Sequence, residues 1–291
     1  MAKVGIVTVL YNSEHVLNEF FESLNCQTFK DFTLYVIDNN SPDKSLEVAK
    51  SLADKVAFSC VFFPEKENWG VAKGNNIGIK AALKDKCKYV LLSNNDVVLN
   101  HADTLELLVN KMDNSDVDIL CPKIMYYDNP QLIWAAGGDF ILHDTATIHF
   151  GAKEKDLGQF DRERFIRYTP TCFVLIRGSV FSNIGYMDEQ FFVYYDDTDF
   201  MYRAWKSELK IQYYPGTSIL HNESSSTGAQ SPFQIYHMSK NRQLFVRKHR
   251  PLSVYAMVLF KQFCAFSLKH IWRNPTSLWR AELSGLIDGL K

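Results

Sequence analysis

Apolar stretches of strand length alternate with amphipathic stretches of helical period along the first 126 residues. The pattern predicts strands at KVGIVTVL, FTLYVID, VAFSCVFF, KYVLLS and DILCPKIMY. It predicts helices near residues 16–24, 44–53, 71–84 and 102–113. Strand–helix alternation of this kind is typical of βαβ units. The expected fold is therefore α/β, with a mixed but mostly parallel sheet and helices on both faces.

Polar side chains follow three of the predicted strands at the point where each strand ends. They are Tyr11-Asn12-Ser13, Asp38-Asn39-Asn40-Ser41 and Ser93-Asn94-Asn95-Asp96. Such residues are also common in turns and at helix N-caps, so any one cluster has an ordinary structural explanation. Three clusters at the edge where α/β sheets bind ligands favour a nucleotide site. We expect Asp38 and Asn40 to hydrogen-bond a base or ribose, and Asp96 to hold a divalent cation against phosphates.

The segment ENWGVAKGNN, residues 67–76, places two glycines at the start of a predicted helix. Gly70 and Gly74 permit a tight turn and a close backbone approach, and free amides at a helix start favour an anion. The segment is neither a Walker A loop nor a GxGxxG motif. A glycine-containing turn with ordinary helix packing is the alternative.

A second chemical cluster is FFVYYDDTDF, in which Asp196, Asp197 and Asp199 crowd the start of a predicted helix. Acidic residues at a helix N-terminus also offset the helix dipole, and we expect one of the three to do only that. Three carboxylates within four residues, preceded by aromatic side chains that exclude water, raise the pKa of at least one of them. A carboxylate with a raised pKa is suited to act as a general base.

Composition adds information on size and compartment. The 291 residues are 46% apolar and 14% aromatic, which is enough to bury a substantial core. Six cysteines lie far apart without a CxxC pair, which predicts reduced thiols in the cytoplasm. The N-terminal MAKVGIVTVLYN has one basic residue before the end of its apolar stretch and no cleavage site, so we expect a first strand there rather than a signal peptide.

Charge divides the chain into an acidic body and a basic tail. Residues 224–291 carry 10 basic and 2 acidic side chains, a net charge of +8, whereas residues 1–223 have a net charge of −9. We predict a main domain at 1–232 and a basic amphipathic helical extension at 233–291.

Within this tail, the stretch 251–272 is strongly apolar, but four polar residues interrupt it: Lys261, Gln262, Lys269 and His270. Charges near the centre of a spanning helix are costly, so the stretch favours a helix that lies on the membrane surface. The expected location is the cytoplasm, at the inner face of the cell membrane. Packing on the body, or a homodimer interface, is the alternative use of these apolar residues.

Seven segments together resemble a known family. They are VTVLYN, VIDNNSPDKS, ENWGVAKGNN, YVLLSNNDV, WAAGG, VLIRGSVFSNIGYMDEQFFVYYDDTDF and ILHNESSS. They occur in the order seen in inverting family-2 glycosyltransferases of the GT-A fold, over about residues 3–250. The chain looks most similar to the bacterial rhamnosyltransferase-like branch, which builds surface polysaccharides.

The resemblance assigns residues to the nucleotide sugar. It places Thr8, Tyr11, Asn12, Asp38 and Asn40 around the nucleotide, with Asn68, Gly70, Gly74 and Asn75 shaping the same pocket. SNND resembles the family's DxD-type element and adds Asn94, Asn95 and Asp96. Asn94 stands where many relatives have a first Asp, which removes one negative charge from the local metal site.

The resemblance also assigns the chemistry. Asp96 and His221 are implied to hold a divalent cation, Mn or Mg, together with diphosphate oxygens, and imidazole suits Mn better than Mg. Asp197 matches the family's general base and Asp196 the acid before it, where relatives often have Glu. Asp199 is implied to orient the acceptor or to cap the helix.

The implied reaction is inverting transfer of a sugar from a nucleoside-diphosphate sugar, dTDP-rhamnose or a UDP-sugar, to a hydroxyl of a glycan or lipid-linked acceptor. No nucleic-acid partner is expected. Two alternatives belong to other classes: a nucleotidyltransferase, which would release pyrophosphate, and a non-catalytic module that binds a nucleotide sugar without turnover.

Overall fold

A ten-stranded mixed sheet forms the centre of the computed structural model, which describes residues 2–141, 146–222, 231–270 and 277–290. Within these ranges the strands are β1 (Val4–Leu10), β2 (Phe32–Asp38), β3 (Ser59–Pro64), β4 (Tyr89–Ser93), β5 (Val97–Val98), β6 (Ile119–Tyr126), β7 (Ile133–Ala135), β8 (Gly138–Ile141), β9 (Ala146–His149), β10 (Arg164–Phe165), β11 (Phe173–Arg177) and β12 (Ile211–His221). The helices are α1 (Leu17–Asn25), α2 (Ser45–Ala53), α3 (Gly70–Lys84), α4 (Thr104–Asp113), α5 (Gly178–Ile184), α6 (Asp196–Lys206), α7 (Pro232–His249), α8 (Leu252–His270) and α9 (Ser277–Leu290).

The main strand order is β10-β12-β6-β11-β4-β1-β2-β3, with β5 paired to β12 and β7 to β6. Strands β3, β2, β1 and β4 run parallel, and β6 is parallel to β12. Strand β11 lies antiparallel between β4 and β6. Strands β8 and β9 form a separate antiparallel pair. The predicted α/β class is confirmed, and so are the strands and helices predicted for the first 126 residues.

Burial explains why these strands could be recognised as apolar runs. Nearly every residue of β1, β2, β4 and β6 is buried, as expected for strands covered by helices on both faces. Alternate residues enter opposite cores: Val7 belongs to one apolar cluster and Ile6 to the other. The carboxyl ends of β1, β2 and β4 meet at one edge, because these strands are parallel and adjacent.

Helix α7 packs into the body as well as against the C-terminal helices. Its Phe245 and Val246 are buried in the same apolar cluster as Val7. Helix α9 approaches α7 closely through two glycines, since a Cβ at Gly285 would lie 2.4 Å from the Tyr236 carbonyl oxygen. None of the described helices is long and apolar enough to cross a membrane.

Candidate active site

A cavity of about 740 Å³ opens at the edge where β1, β2 and β4 end. Its volume lies within the range of small-molecule sites. Seven residues predicted from the sequence line it: Tyr11, Asn68, Gly70, Asn75, Asn94, Asn95 and Asp96. The strand-end clusters after β1 and β4 therefore converge on one cavity, as expected for the carboxyl edge of this sheet.

Five other predicted residues are not among the described residues that line this cavity. Thr8 is completely buried within β1, and Asp38 is 5% exposed and accepts a hydrogen bond from the Ser41 amide. Asn12 and Asn40 are exposed and have left-handed backbones, with φ of 55° and 56°. Gly74 packs against Val9, where a Cβ would lie 2.9 Å from a Val9 methyl carbon.

The start of α3 is tightly built around Gly70. Its φ is +77°, and a Cβ there would lie 2.2 Å from the Phe192 carbonyl oxygen, so only glycine fits without strain. The Gly70 amide donates to Asn68 Oδ1 at 2.9 Å, and the Val71 amide donates to the Phe192 carbonyl at 2.6 Å. The expectation that free amides here receive an anion is wrong for these two amides, because protein oxygens already occupy them.

Residues from distant parts of the sequence complete the cavity wall. Asn39 donates to the Gly70 carbonyl at 3.0 Å. Ser231, Pro232 and Phe233 line the cavity at the start of α7, where Ser231 Oγ caps the helix by accepting from the Gln234 amide. The Ser-Pro pair is a helix-start signal in the sequence, but nothing in the local pattern indicates that this start lies against the cavity.

A second cavity of about 510 Å³ adjoins the first. Asn94, Asp96, Val71 and Val193 line both cavities. The second cavity also contains Asp196, Asp197 and His221, together with aromatic and other residues that include Trp134, His149, Tyr168, Gln234 and Met238. The two predicted chemical clusters, after β4 and at α6, therefore line adjoining cavities. The four residues that line both cavities form a shared wall between them.

Asp197 is half-buried at the start of α6, and its carboxylate is fixed on both oxygens. Tyr168 Oη donates to Oδ2 at 2.6 Å, and the Thr198 amide donates to Oδ1 at 2.6 Å. Burial and the charge of Asp197 raise the pKa of Tyr168 well above its usual range, so Tyr168 is a donor to this carboxylate at neutral pH.

A strained turn aims the start of α6 at the cavity. Tyr194 and Tyr195 are both left-handed, with φ of 63° and 65°, which is unfavourable for bulky residues. The Asn241 side-chain amide of α7 donates to the carbonyls of Val193 and Tyr194, at 2.8 and 3.0 Å. Asn241 is 1% exposed, so this support is part of the interior.

The three acids of α6 have different environments. Burial and the neighbouring Asp197 carboxylate raise the pKa of Asp196 well above its usual range, as predicted for one member of the cluster. Burial alone would also raise the pKa of Asp199. A hydrogen bond with His249 and the charges of Arg203 and Lys248 outweigh it and hold the pKa of Asp199 at about 2.

Asp199 does not line either cavity among the described residues. Its side chain is fully buried and contacts Arg203 Nε at 2.8 Å, Lys248 Nζ at 2.7 Å and His249 Nε2 at 2.6 Å. Two of these partners lie at the end of α7. Asp199 therefore joins α6 to α7, and an acceptor-orienting role does not fit its position.

Asp96 and His221 face each other at the shared wall. His221 Nε2 lies 3.4 Å from Asp96 Oδ1, and the side chains are 7% and 10% exposed. The Trp134 ring packs edge-on against the His221 imidazole, with 4.6 Å between the two ring centroids. No cluster of three or more His, Cys, Asp or Glu side chains suited to a metal occurs within the described ranges.

Comparison with known proteins identifies the class. A family model described as "Glycosyl transferase family 2" matches residues 5–185. The chain belongs to this family. The chain is similar to the low-salt glycan biosynthesis hexosyltransferase Agl10 of Haloferax volcanii, with 25% identity over 245 residues, which are 83% of this chain and 74% of the relative. The glycosyltransferase GlyG of Streptococcus pneumoniae is 23% identical over 235 residues, 80% of this chain and 74% of the relative.

Solved structures match the family-2 fold over almost the whole chain. TarS 1-349 of S. aureus in complex with UDP-GlcNAc has a TM-score of 0.59 and 20% identity, covering 99% of this chain and 80% of that one. The mannosyltransferase PcManGT of Pyrobaculum calidifontis, in complex with GDP-Man and Mn2+, has a TM-score of 0.61 and 12% identity, covering 99% and 87%. The predicted GT-A fold is confirmed.

Proposed function

We propose that this family-2 enzyme transfers a sugar, with inversion, from a nucleoside-diphosphate sugar in the first cavity to a hydroxyl group in the second. The observation that carries the proposal is the shared wall: Asp96 lines both cavities, and Asp197 lies in the second one. A donor whose diphosphate lies at Asp96 would present its anomeric carbon toward Asp197. The proposed acceptor is a glycan or a lipid-linked sugar in surface polysaccharide synthesis, at the inner face of the cell membrane.

The donor class is supported by volume, by polarity and by the solved relatives. The first cavity is large enough for a nucleotide and combines amide side chains with the Tyr11 ring, which is 42% exposed. TarS was solved with UDP-GlcNAc and PcManGT with GDP-Man, so a sugar nucleotide is the ligand class of both structures. We propose dTDP-rhamnose or a UDP-sugar as the donor here.

Asp197 is the proposed general base. A sugar hydroxyl does not ionise at neutral pH, so its proton must leave as the oxygen attacks. The Asp197 carboxylate, held by Tyr168 and Thr198, accepts that proton while the new C–O bond forms and the bond to the diphosphate oxygen breaks. Attack from the second cavity, opposite the departing diphosphate, inverts the anomeric centre without a covalent enzyme intermediate.

A divalent cation fits the Asp96–His221 pair. A carboxylate oxygen and an imidazole nitrogen form a donor set suited to Mn, and His221 Nε2 lies 3.4 Å from Asp96 Oδ1 in a largely buried position. PcManGT was solved with Mn2+. When bound, the cation would neutralise charge on the leaving diphosphate. Asp96 and His221 would hold it, and diphosphate oxygens would complete its coordination.

Turnover of a sugar-nucleotide panel tests the function. The full chain would be incubated with dTDP-rhamnose, UDP-sugars and GDP-mannose, with Mn2+ and simple glycoside acceptors, and nucleoside diphosphate release would be measured. We expect release from one donor to rise when an acceptor is added. Pyrophosphate release would indicate a nucleotidyltransferase, and tight donor binding without turnover would indicate a binding module. Either result contradicts the proposal.

Metal dependence has its own test. We expect Asp96→Ala and His221→Ala each to weaken Mn-dependent donor binding at least tenfold, because each variant removes one of two protein ligands. Calorimetric titration with and without Mn2+ gives the affinity difference. His101→Ala, an exposed histidine outside both cavities, is the matched control and should bind like the unaltered chain. Unchanged Mn dependence in both site variants would remove the assignment.

A further inference from the structure

Helix α8 carries a stripe of apolar side chains on the side that faces solvent. Leu252, Phe260 and Phe263 are 79%, 69% and 69% exposed. Ala256 is also exposed, and the four residues at positions 252, 256, 260 and 263 follow one another at intervals of four, four and three residues. At 3.6 residues per turn, all four fall within an arc of about 80°. We call these four residues the α8 stripe.

The opposite side of α8 already has its partners in the protein. Val258 is fully buried in the main apolar cluster, and Tyr255 packs against that cluster. Gln262 is hydrogen-bonded to Gln243 of α7, and the Phe266 ring lies 5.6 Å from the Trp279 ring of α9. The α8 stripe is therefore an additional apolar surface, beyond what the fold of the described residues buries.

The stretch of sequence that contains α7 and α8 carries charge of one sign. No acidic residue occurs from residue 224 to residue 280, whereas nine basic residues occur in that span. Exposed members of this set include Arg247 at the end of α7, Lys261 on α8 and Arg280 on α9. Lys248 is used within the fold, because it pairs with Asp188 and Asp199. A surface that combines exposed aromatic rings with cations fits an anionic, partly apolar partner.

We propose that the α8 stripe lies in the headgroup region of an anionic lipid bilayer, with the neighbouring cations on lipid phosphates. Phe260 and Phe263 enter the boundary between headgroups and acyl chains, and the basic segment supplies the attraction to the anionic surface. The helix lies in the plane of the membrane, since it has 19 residues with a charge near its centre and does not qualify as a spanning helix.

Charge argues against a second copy of this chain as the partner. A two-fold homodimer would place the same surface against itself. Because the segment lacks acidic residues, its cations would then face cations across the interface, which is unfavourable. An anionic bilayer supplies the opposite charge and the apolar layer at the same time.

Membrane contact through α8 would also bring the active site close to lipid. Helix α7, which leads to α8, lines the first cavity with Phe233 and the second with Met238. Helix α7 has 18 residues, about 27 Å in length, so both cavities lie within about one helix length of α8. A lipid-linked acceptor would reach them from the same bilayer.

Co-sedimentation with vesicles tests the proposal. The full chain would be mixed with phosphatidylcholine vesicles, with and without phosphatidylglycerol, across a salt series. We expect at least tenfold tighter binding to the anionic vesicles at low salt, and we expect the difference to shrink as salt rises. The assay measures no turnover, so its outcome is independent of the proposed enzymatic function.

Two variants connect the binding to the α8 stripe. Phe260→Ser combined with Phe263→Ser should weaken anionic-vesicle binding at least tenfold. Leu157→Ser combined with Phe165→Ser is the matched control, because these side chains are 79% and 66% exposed on the acidic body, and it should leave binding unchanged. Lys261→Glu should weaken binding about fivefold or more and reduce its salt dependence.

Three outcomes would overturn the proposal. One is negligible binding to both vesicle types at low salt. Another is equal vesicle binding by the stripe variant and its control, when circular dichroism shows that both are folded. If the stripe variant does not fold, unchanged vesicle binding by Lys261→Glu would contradict the proposal instead. The third combines three observations: the unaltered chain is a dimer in sedimentation equilibrium, the stripe variant is a monomer, and the unaltered chain does not bind vesicles. That result would make a second copy of the chain the partner.

Discussion

Asp197→Asn is expected to keep the fold and the donor affinity while lowering kcat at least a hundredfold. The substitution is nearly isosteric and retains one oxygen, which can keep one of the two hydrogen bonds that Tyr168 and Thr198 donate, but an amide does not accept the acceptor's proton. Single-turnover measurement of nucleoside diphosphate release, beside calorimetric titration of the donor, separates the two effects.

Asp196→Asn is the matched control for this experiment. Burial and the Asp197 charge already favour the neutral form of Asp196, and an amide resembles a neutral carboxyl group. We therefore expect Asp196→Asn to lose much less activity than Asp197→Asn. If the order is reversed, Asp196 is the base, and the role proposed for Asp197 is wrong.

Asp199→Ala is expected to lower the free energy of unfolding by about 3 kcal/mol. It removes a fully buried carboxylate and leaves Arg203, Lys248 and His249 without their shared partner. Loss of one member of a buried ion pair costs about 3–5 kcal/mol, and the lower end applies because Lys248 is 34% exposed. Urea unfolding followed by circular dichroism measures the change.

A surface ion pair provides the control for Asp199. Asp116 pairs with Lys210 but is 76% exposed, so Asp116→Ala should lower the free energy of unfolding much less than Asp199→Ala. The pKa of Asp199 is about 2 in the folded protein, below the ordinary value of about 3.9. Its contribution to stability is therefore fully present above about pH 4 and is lost as pH falls through about 2. Equal losses in the two variants would show that the buried network contributes little.

Of the parts of the candidate site, the first cavity was the most predictable from the sequence, for a physical reason. Strands buried on both faces are continuous apolar runs, and parallel strands carry their polar ends to one edge, so the cluster ending at Asp96 could be placed without coordinates. The same argument could not separate Asp199 from Asp197, which lie two residues apart. Their roles differ because one contacts the end of α7 and the other faces a cavity, and these contacts come from residues about 30 to 50 positions away.

Helix α7 was the least predictable part of the site. Its basic residues belong to a strongly positive tail in the sequence, which indicates a surface segment. In the fold, however, Lys248 pairs with the buried Asp199, and Phe233 lines the first cavity. Long-range contacts of this kind leave no periodic signal, since each depends on a single side chain meeting a distant element.

Helix α7 contributes to several parts of the structure, and this limits where a chimera between this enzyme and a relative can be joined. The helix supplies Phe233 to one cavity and Met238 to the other, and its Asn241 holds the turn that precedes Asp196. A chimera joined at residue 232 would exchange cavity walls and the α8 stripe in one step, so a change in substrate preference could not be separated from a change in the proposed lipid contact. A junction after Arg250 would keep both cavities intact and transfer only the C-terminal helices.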